Sequence, residues 1–151
     1  MYMVSHSIAV NPEGATPVLT TEQVWAGLVM KAENALPFVP VMKRCDMIER
    51  RGNTILREIT IGTDDFQEFI TLFEPIQVQF RRVGTEDFIH NTVSESDFGL
   101  LLTFTVGVSF AGTEPGSAEE QAAGDAMRHA YVGAVGSTLK RVREMVANNE
   151  I

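Results

Sequence analysis

Hydrophobic and polar residues alternate through the middle of the chain, from Met42 to Phe110. A period of two is typical of strands, and short turn sequences rich in Gly, Pro, Asp and Asn divide the segment. Because the turns are short, neighbouring strands should form antiparallel hairpins. Met3 to Val10 alternates in the same way, so the sheet should have about seven strands. The strands of the middle segment are predicted at 43–50, 54–61, 66–73, 76–82, 88–94 and 98–110.

Two other segments have helical spacing. Thr20 and Gln23 form a capping box ahead of an apolar stripe, and prolines end this first helix. The stripe consists of Val24, Trp25, Leu28, Val29 and Ala32. Ser117 and Glu120 form a second capping box, before a helix predicted over Ala118 to Ala147. This order of elements predicts an α+β fold, in which a curved antiparallel sheet wraps around the long C-terminal helix.

The turn lengths predict which side chains share a face of the sheet, because residues paired across a hairpin point the same way. We expect two-residue turns at Gly52-Asn53 and Glu74-Pro75, and four-residue loops at 62–65, 83–86 and 95–98. One face then carries mainly apolar side chains, and we assign it to the concave, inner side. Its predicted ligand-contacting members are Met47, Leu56, Glu58, Phe69, Thr71, Phe73, Val78, Phe80, Asn91, Leu102 and Phe104.

The C-terminal helix should contribute the other wall of this site. A step of about 100° per residue places Met127, Tyr131, Ala134 and Thr138 on the side that faces the sheet. Several residues on that side are alanines, which either permit close packing or leave a void. A long helix across a strongly curved sheet favours the void, so we expect an internal cavity between sheet and helix.

Two polar residues of the inner face are the candidate catalytic groups. Glu58 would be a carboxylic acid on an apolar surface, where burial favours the protonated form and allows acid or base chemistry. Asn91 can both donate and accept a hydrogen bond, so it could orient a ligand carbonyl or hydroxyl. The alternatives are a Glu58 that pairs with Tyr131 or an arginine, and an Asn91 amide that backbone groups satisfy.

The same assignment leaves the outer face more apolar than solvent requires. The aliphatic residues concerned are Ile55, Ile59, Ile61, Ile70 and Leu72. A β-bulge would flip the first strands and put Arg57 inside instead of Glu58. A homodimer contact over the outer face would explain the pattern without any flip. The sequence pattern leaves both alternatives open.

Charge and composition exclude several classes of function. The net charge is −8, from 20 acidic and 12 basic residues, which argues against nucleic acids and anionic membranes as partners. No apolar run reaches the roughly 18 residues of a membrane span, and the N-terminus lacks a signal-peptide pattern, so we expect a cytoplasmic location. Cys45 is the single cysteine, and the three histidines lie in different elements. We therefore expect neither a metal ion nor another cofactor.

Several phrases carry a resemblance to a known family. They are Leu19–Leu28, Phe38–Pro40, Leu56–Gly62, Asn91–Glu95 and Leu102–Phe104. On these phrases the chain resembles the AtaL-like branch of the helix-grip superfamily, which also includes START domains, the birch-allergen fold and polyketide cyclases. The resemblance implies one START-like helix-grip domain over residues 1–151. It also makes Arg57, Glu58, Asn91 and Thr92 candidate site residues, and it implies hydrophobic or polyketide-like ligands.

Taken together, these patterns predict a protein that binds a small hydrophobic molecule, polyketide- or lipid-like, in a cavity between the sheet and the C-terminal helix. One alternative is an enzyme of the cyclase or dehydratase kind that uses Glu58 and Asn91. Another is a protein-interaction module of the chaperone-activator type, which a closed core without a cavity would favour.

Overall fold

In a computed structural model that describes all 151 residues, seven strands and two helices follow one another along the chain. The strands form a single antiparallel sheet in the order β1-β7-β6-β5-β4-β3-β2, so the first strand pairs with the last. The predicted α+β arrangement is confirmed, with the long helix lying across the sheet. The elements are β1 Tyr2–Ala9, α1 Thr21–Glu33, β2 Met42–Arg51, β3 Thr54–Ile61, β4 Asp64–Phe73, β5 Gln77–Arg82, β6 Phe88–Ser94, β7 Leu101–Val108 and α2 Ala118–Ala147.

Both helices begin at the predicted residues. The Thr20 hydroxyl accepts a hydrogen bond from the Gln23 backbone N–H, and the Gln23 side chain accepts one from the Thr20 N–H, which completes the first capping box. At α2 the Ser117 hydroxyl accepts from the Glu120 N–H in the predicted way. The second capping box is incomplete, however. The Glu120 carboxylate accepts instead from the N–H of Gly116, one residue before the cap.

The two helices pack closely against each other in the main core. Val135, Leu139 and Val142 of α2 are buried in the main apolar cluster, which also contains the buried face of α1. A methyl group on Gly27 would lie 2.3 Å from the Val142 side chain, so only glycine permits this close approach between α1 and α2. Neither helix combines the length and the apolar character that crossing a membrane requires.

One turn reverses the predicted faces of β3 and β4. Phe73 pairs with Gln77, so the loop between β4 and β5 has three residues, Glu74 to Ile76, where we predicted two. Because side chains alternate along a strand, one additional residue exchanges the two faces of β4 and of β3, which precedes it. In β2 a bulge between Met47 and Glu49 cancels the exchange, so Met47 keeps its predicted face. Among the aliphatic residues assigned to the outer face, Ile55, Ile59, Ile70 and Leu72 are in fact buried inside, and Ile61 shares their face.

The turns at 52–53 and 83–86 have the predicted lengths, and two others differ without changing the faces. Gly62 and Thr63 form a two-residue turn, because Ile61 pairs with Asp64. The connection from β6 to β7 is longer than predicted, because Ser94 pairs with Leu101. Each difference shifts the register by two residues, an even number, so every side chain keeps its side of the sheet. The predicted long strand 98–110 is also shorter in the structure, Leu101–Val108.

Candidate functional site

A cavity of about 530 Å³ lies between the concave face of the sheet and the first half of α2. Of its 26 lining residues, 18 are hydrophobic. Phe80, Phe104 and Ile59 form part of the sheet wall, while Ala130 and Ala134 lie on the helix side. The short alanine side chains do not reach the curved sheet, so the space that larger residues fill near Val142 stays open here.

The cavity opens to solvent at one end of the sheet. Val41 and Met127 lie at this rim, and Val41 is 66% exposed. Arg82 and Asp87 form an ion pair at the same end, with 3.5 Å between Nη1 and Oδ2, and the Arg82 guanidinium lies 3.8 Å from the centroid of the Phe66 ring. The volume lies within the range of roughly 300–1,000 Å³ that is usual for small-molecule pockets.

A buried ion pair lies on the inner wall. Arg57 and Glu68 are opposite each other on β3 and β4 and are only 3% and 6% exposed. The guanidinium donates to the Glu68 Oε2 atom from Nε at 2.8 Å and from Nη2 at 2.6 Å. Its Nη1 atom donates to the backbone carbonyls of Lys31 and Ala32, at 2.8 and 3.0 Å. Those carbonyls belong to the end of α1, where helices lack internal donors, so Arg57 ties α1 to the sheet.

Lys31 places a further cation in the cavity wall. Its side chain is only 8% exposed, and its ammonium lies 4.2 Å from the centroid of the Phe104 ring. The ammonium donates no hydrogen bond to any acceptor of the chain, and it forms no ion pair there. Burial and, to a smaller extent, the charge of Arg57 lower the pKa of Lys31 to about 7, against the opposing charge of Glu68. Lys31 is therefore an amine without a hydrogen-bond or ion-pair partner in a mainly apolar site, and it is a cation below about pH 7.

Tyr131 brings a phenol to the same cavity from α2. Burial raises its pKa above the ordinary value, so the hydroxyl stays neutral and can donate a hydrogen bond to a ligand. The hydroxyl contacts only the Met127 sulfur, at 3.8 Å. No group of three or more His, Cys, Asp or Glu side chains has an arrangement that could hold a metal ion.

A comparison with family models matches residues 4–149 to the family described as acetylaranotin biosynthesis cluster protein L, AtaL. The chain belongs to the AtaL family. The family assignment agrees with the resemblance that the sequence phrases indicated. A search of curated proteins finds no match to this AtaL-family chain.

Solved structures with the same fold include two aromatase/cyclases. The Zhui aromatase/cyclase from Streptomyces sp. R1128 is 12% identical, with a TM-score of 0.68 over 96% of this chain and 95% of that one. The di-domain aromatase/cyclase StfQ of the steffimycin pathway is 12% identical, with a TM-score of 0.69 over 98% of this chain and 52% of that one. Ara h 8.0201 is also 12% identical, with a TM-score of 0.62 over 93% of this chain and 97% of that one. At these identities the similarity establishes the helix-grip fold of the AtaL-family chain.

The predicted site residues separate into three groups in this AtaL-family structure. Those that line the cavity are Phe80, Phe104, Met127, Tyr131 and Ala134, together with the alternative residue Arg57. Those that are buried without lining it are Val78, Asn91, Leu102 and Thr138. Those placed on the opposite face of the sheet are Leu56, Glu58, Phe69, Thr71 and Phe73. Met47 precedes a bulge in the edge strand β2 and shares the face of its partner Arg57, but it is 45% exposed and does not line the cavity.

The two candidate catalytic residues occupy different surroundings. The prediction for Glu58 is wrong, because this carboxylate lies on the outer face and forms an ion pair with Arg44. The three-residue loop before β5 is the cause, since it puts Arg57 inside in place of Glu58. Asn91 does face inward and is fully buried, but neither its Oδ1 nor its Nδ2 atom has a hydrogen-bond partner.

Lys31 and Glu68 are the two buried charged residues of the cavity that the sequence analysis missed. Val24, Leu28 and Lys31 are spaced by four and three residues, so they share one face of α1, and all three are buried. A lysine at this spacing on an apolar stripe is a signal that sequence alone contains. Glu68 has no such signal, because its pairing with Arg57 depends on the register between β3 and β4.

Proposed function

We propose that this AtaL-family chain binds a small, mainly hydrophobic molecule, polyketide- or lipid-like, in the cavity between the sheet and α2. The observation that carries the proposal is the cavity of about 530 Å³ with 18 hydrophobic residues among its 26 lining residues. A ligand that buries about 200 Å² of apolar surface there would gain roughly 5 kcal/mol from the hydrophobic effect. A few polar groups on one wall would orient it.

The comparisons support the same class of ligand. The family description names a protein of the acetylaranotin biosynthesis cluster, and two of the structures with the same fold are aromatase/cyclases. The position of Glu58 on the outer face argues against a cyclase or dehydratase mechanism built on Glu58 and Asn91. The open cavity argues against an interaction module, for which we expected a closed core.

A fluorescence titration with phenylnaphthylamine, a neutral apolar dye, tests the proposal. We expect a blue shift and an increase of emission when the dye enters the cavity of the wild-type protein. Ala134→Trp should weaken binding at least tenfold, because the indole fills the space beside the inner wall. Ala126→Trp is the matched control, since Ala126 is an exposed alanine of the same helix that does not line the cavity.

A wild-type protein that does not bind the dye would refute the proposal, and so would a folded Ala134→Trp variant that binds it with wild-type affinity. Circular dichroism and the thermal unfolding midpoint establish that both variants are folded. Native mass spectrometry of protein purified from its own cell extract complements the titration, because a retained molecule would give the ligand mass directly.

A further inference from the structure

The charges of the inner wall do not balance. Lys31, Arg57 and Glu68 line the cavity close to one another, and they provide two cationic groups and one anionic group. At the rim, Arg82 has its own counterion in Asp87. Asp64 also lines the cavity, but it is exposed to solvent at the start of β4. When Lys31 is protonated, the inner wall is therefore short of one negative charge. A buried charge without a counterion is costly, which makes the imbalance informative about what the site accommodates.

The missing partner belongs to Lys31 and not to Arg57. The Arg57 guanidinium already makes two hydrogen bonds with Glu68 and two with carbonyls of α1. A guanidinium has five N–H groups, so four of them are in use. The Lys31 ammonium has three N–H groups and no acceptor in the chain, and its nearest favourable contact is the face of the Phe104 ring.

The aromatic residues beside Lys31 define how a ligand would approach it. The ammonium lies 4.2 Å from the ring centroid of Phe104 and 6.0 Å from that of Phe80, and both rings line the cavity. A ligand whose apolar body lies against these rings would bring an attached polar group to the ammonium. Asn91 is the register partner of Phe104 and also lacks a hydrogen-bond partner, so two residues next to Phe104 have unused donors.

We propose that the ligand is a hydrophobic anion, with a carboxylate or similar acidic group that pairs with the Lys31 ammonium at the inner wall of the cavity. This inference rests on the proposed function, because it specifies the chemical class of the molecule in the same cavity. An anion there completes the charge balance of Lys31, Arg57 and Glu68. A charge-assisted hydrogen bond in a site that largely excludes water is stronger than the same contact at the surface.

Two dyes that differ by one anionic group test this inference. Anilinonaphthalenesulfonate is phenylnaphthylamine with an added sulfonate, and both dyes fluoresce in apolar sites. In Lys31→Met the affinity for the anionic dye should fall roughly ten- to hundredfold, the range for lost hydrogen bonds to charged groups. The affinity for the neutral dye should change less than threefold. Lys43→Met is the matched control, because Lys43 is an exposed lysine that does not line the cavity.

A pH series on the wild-type protein gives a second measurement that needs no variant. The titratable or charged groups that face Lys31 are Arg57 on β3 and Glu68 on β4, and the rim adds Asp64, Arg82, Asp87 and Tyr131. Burial lowers the pKa of Lys31 to about 7, so above that pH the anion must bind together with a proton. The preference for the anionic dye should therefore fall, by up to about tenfold per pH unit, between pH 7 and 9.

Each outcome of these measurements decides the inference. A selective loss of the anionic dye in Lys31→Met supports it, as does retention of that dye in Lys31→Arg, which keeps the charge. Equal effects of Lys31→Met on both dyes would overturn it, and so would a wild-type preference that does not change with pH. In those cases binding of the neutral dye still supports the proposed function. If the wild-type protein binds neither dye, both proposals fail.

Discussion

The buried pair of Arg57 and Glu68 allows a quantitative test of how the cavity wall is held together. Arg57→Met would leave the Glu68 carboxylate buried without a cation and would remove the donor for the carbonyls of Lys31 and Ala32. Breaking a buried pair from one side typically costs about 3–5 kcal/mol. Glu68→Leu would leave the guanidinium with the two carbonyls alone, so we expect a loss of about 3 kcal/mol from this variant.

The double variant should be more stable than the sum of the two losses implies. Neither charge remains in it, and Met and Leu can pack against each other, so we expect a coupling energy of roughly 1–3 kcal/mol. Urea unfolding followed by circular dichroism and by fluorescence of Trp25, the single tryptophan, measures it. The urea unfolding should be measured at pH 9, where Lys31 is mainly neutral, so that the loss of Glu68 does not also change the charge of Lys31.

The exposed pair of Arg51 and Glu49, 2.7 Å apart, is the control for this cycle. Arg51→Met and Glu49→Leu should show a coupling energy close to zero, because solvent screens surface ion pairs. If the losses from Arg57→Met and Glu68→Leu are additive, the argument that the two groups compensate each other's burial is refuted.

Lys31, Asn91 and Glu58 each allow a simpler test. Burial lowers the pKa of Lys31 from 10.5 to about 7, so the unfolded chain binds more protons between these values. Wild-type stability should therefore rise by up to about 1.4 kcal/mol per pH unit from pH 7 to pH 10, and Lys31→Met should lack this slope in urea titrations; parallel slopes would contradict the burial of a lone ammonium. Asn91→Val should stabilise the protein by roughly 1–3 kcal/mol, because it removes a buried amide without partners; a loss of stability would indicate that a buried water satisfies the amide. Glu58→Leu should leave the affinity for phenylnaphthylamine unchanged within twofold, and a tenfold loss would contradict its place on the outer face.

Local patterns in the sequence were enough to predict the elements and their order. The capping residues Thr20 and Ser117 define where the helices begin, because they supply acceptors to N–H groups that the helix itself leaves free. Alternation and short turns predict the antiparallel neighbours, since a short connection leaves a strand no other partner nearby. The small residues Ala130 and Ala134 predicted a cavity, because side-chain volume is a property of the sequence.

The polar chemistry of the site was decided by tertiary structure. Whether Glu58 or Arg57 faces inward depends on a single residue in the loop before β5, and sequence alone allows either loop length. The choice follows from the burial of Ile55, Ile59 and Ile70, which depends on the packing of α1 and of the segment after it against the sheet. Arg57 and Glu68 meet across two strands, and Lys31 reaches the same wall from α1. Sequence therefore determined the architecture through local interactions, whereas the charges of the cavity depend on contacts between segments that are distant in the chain.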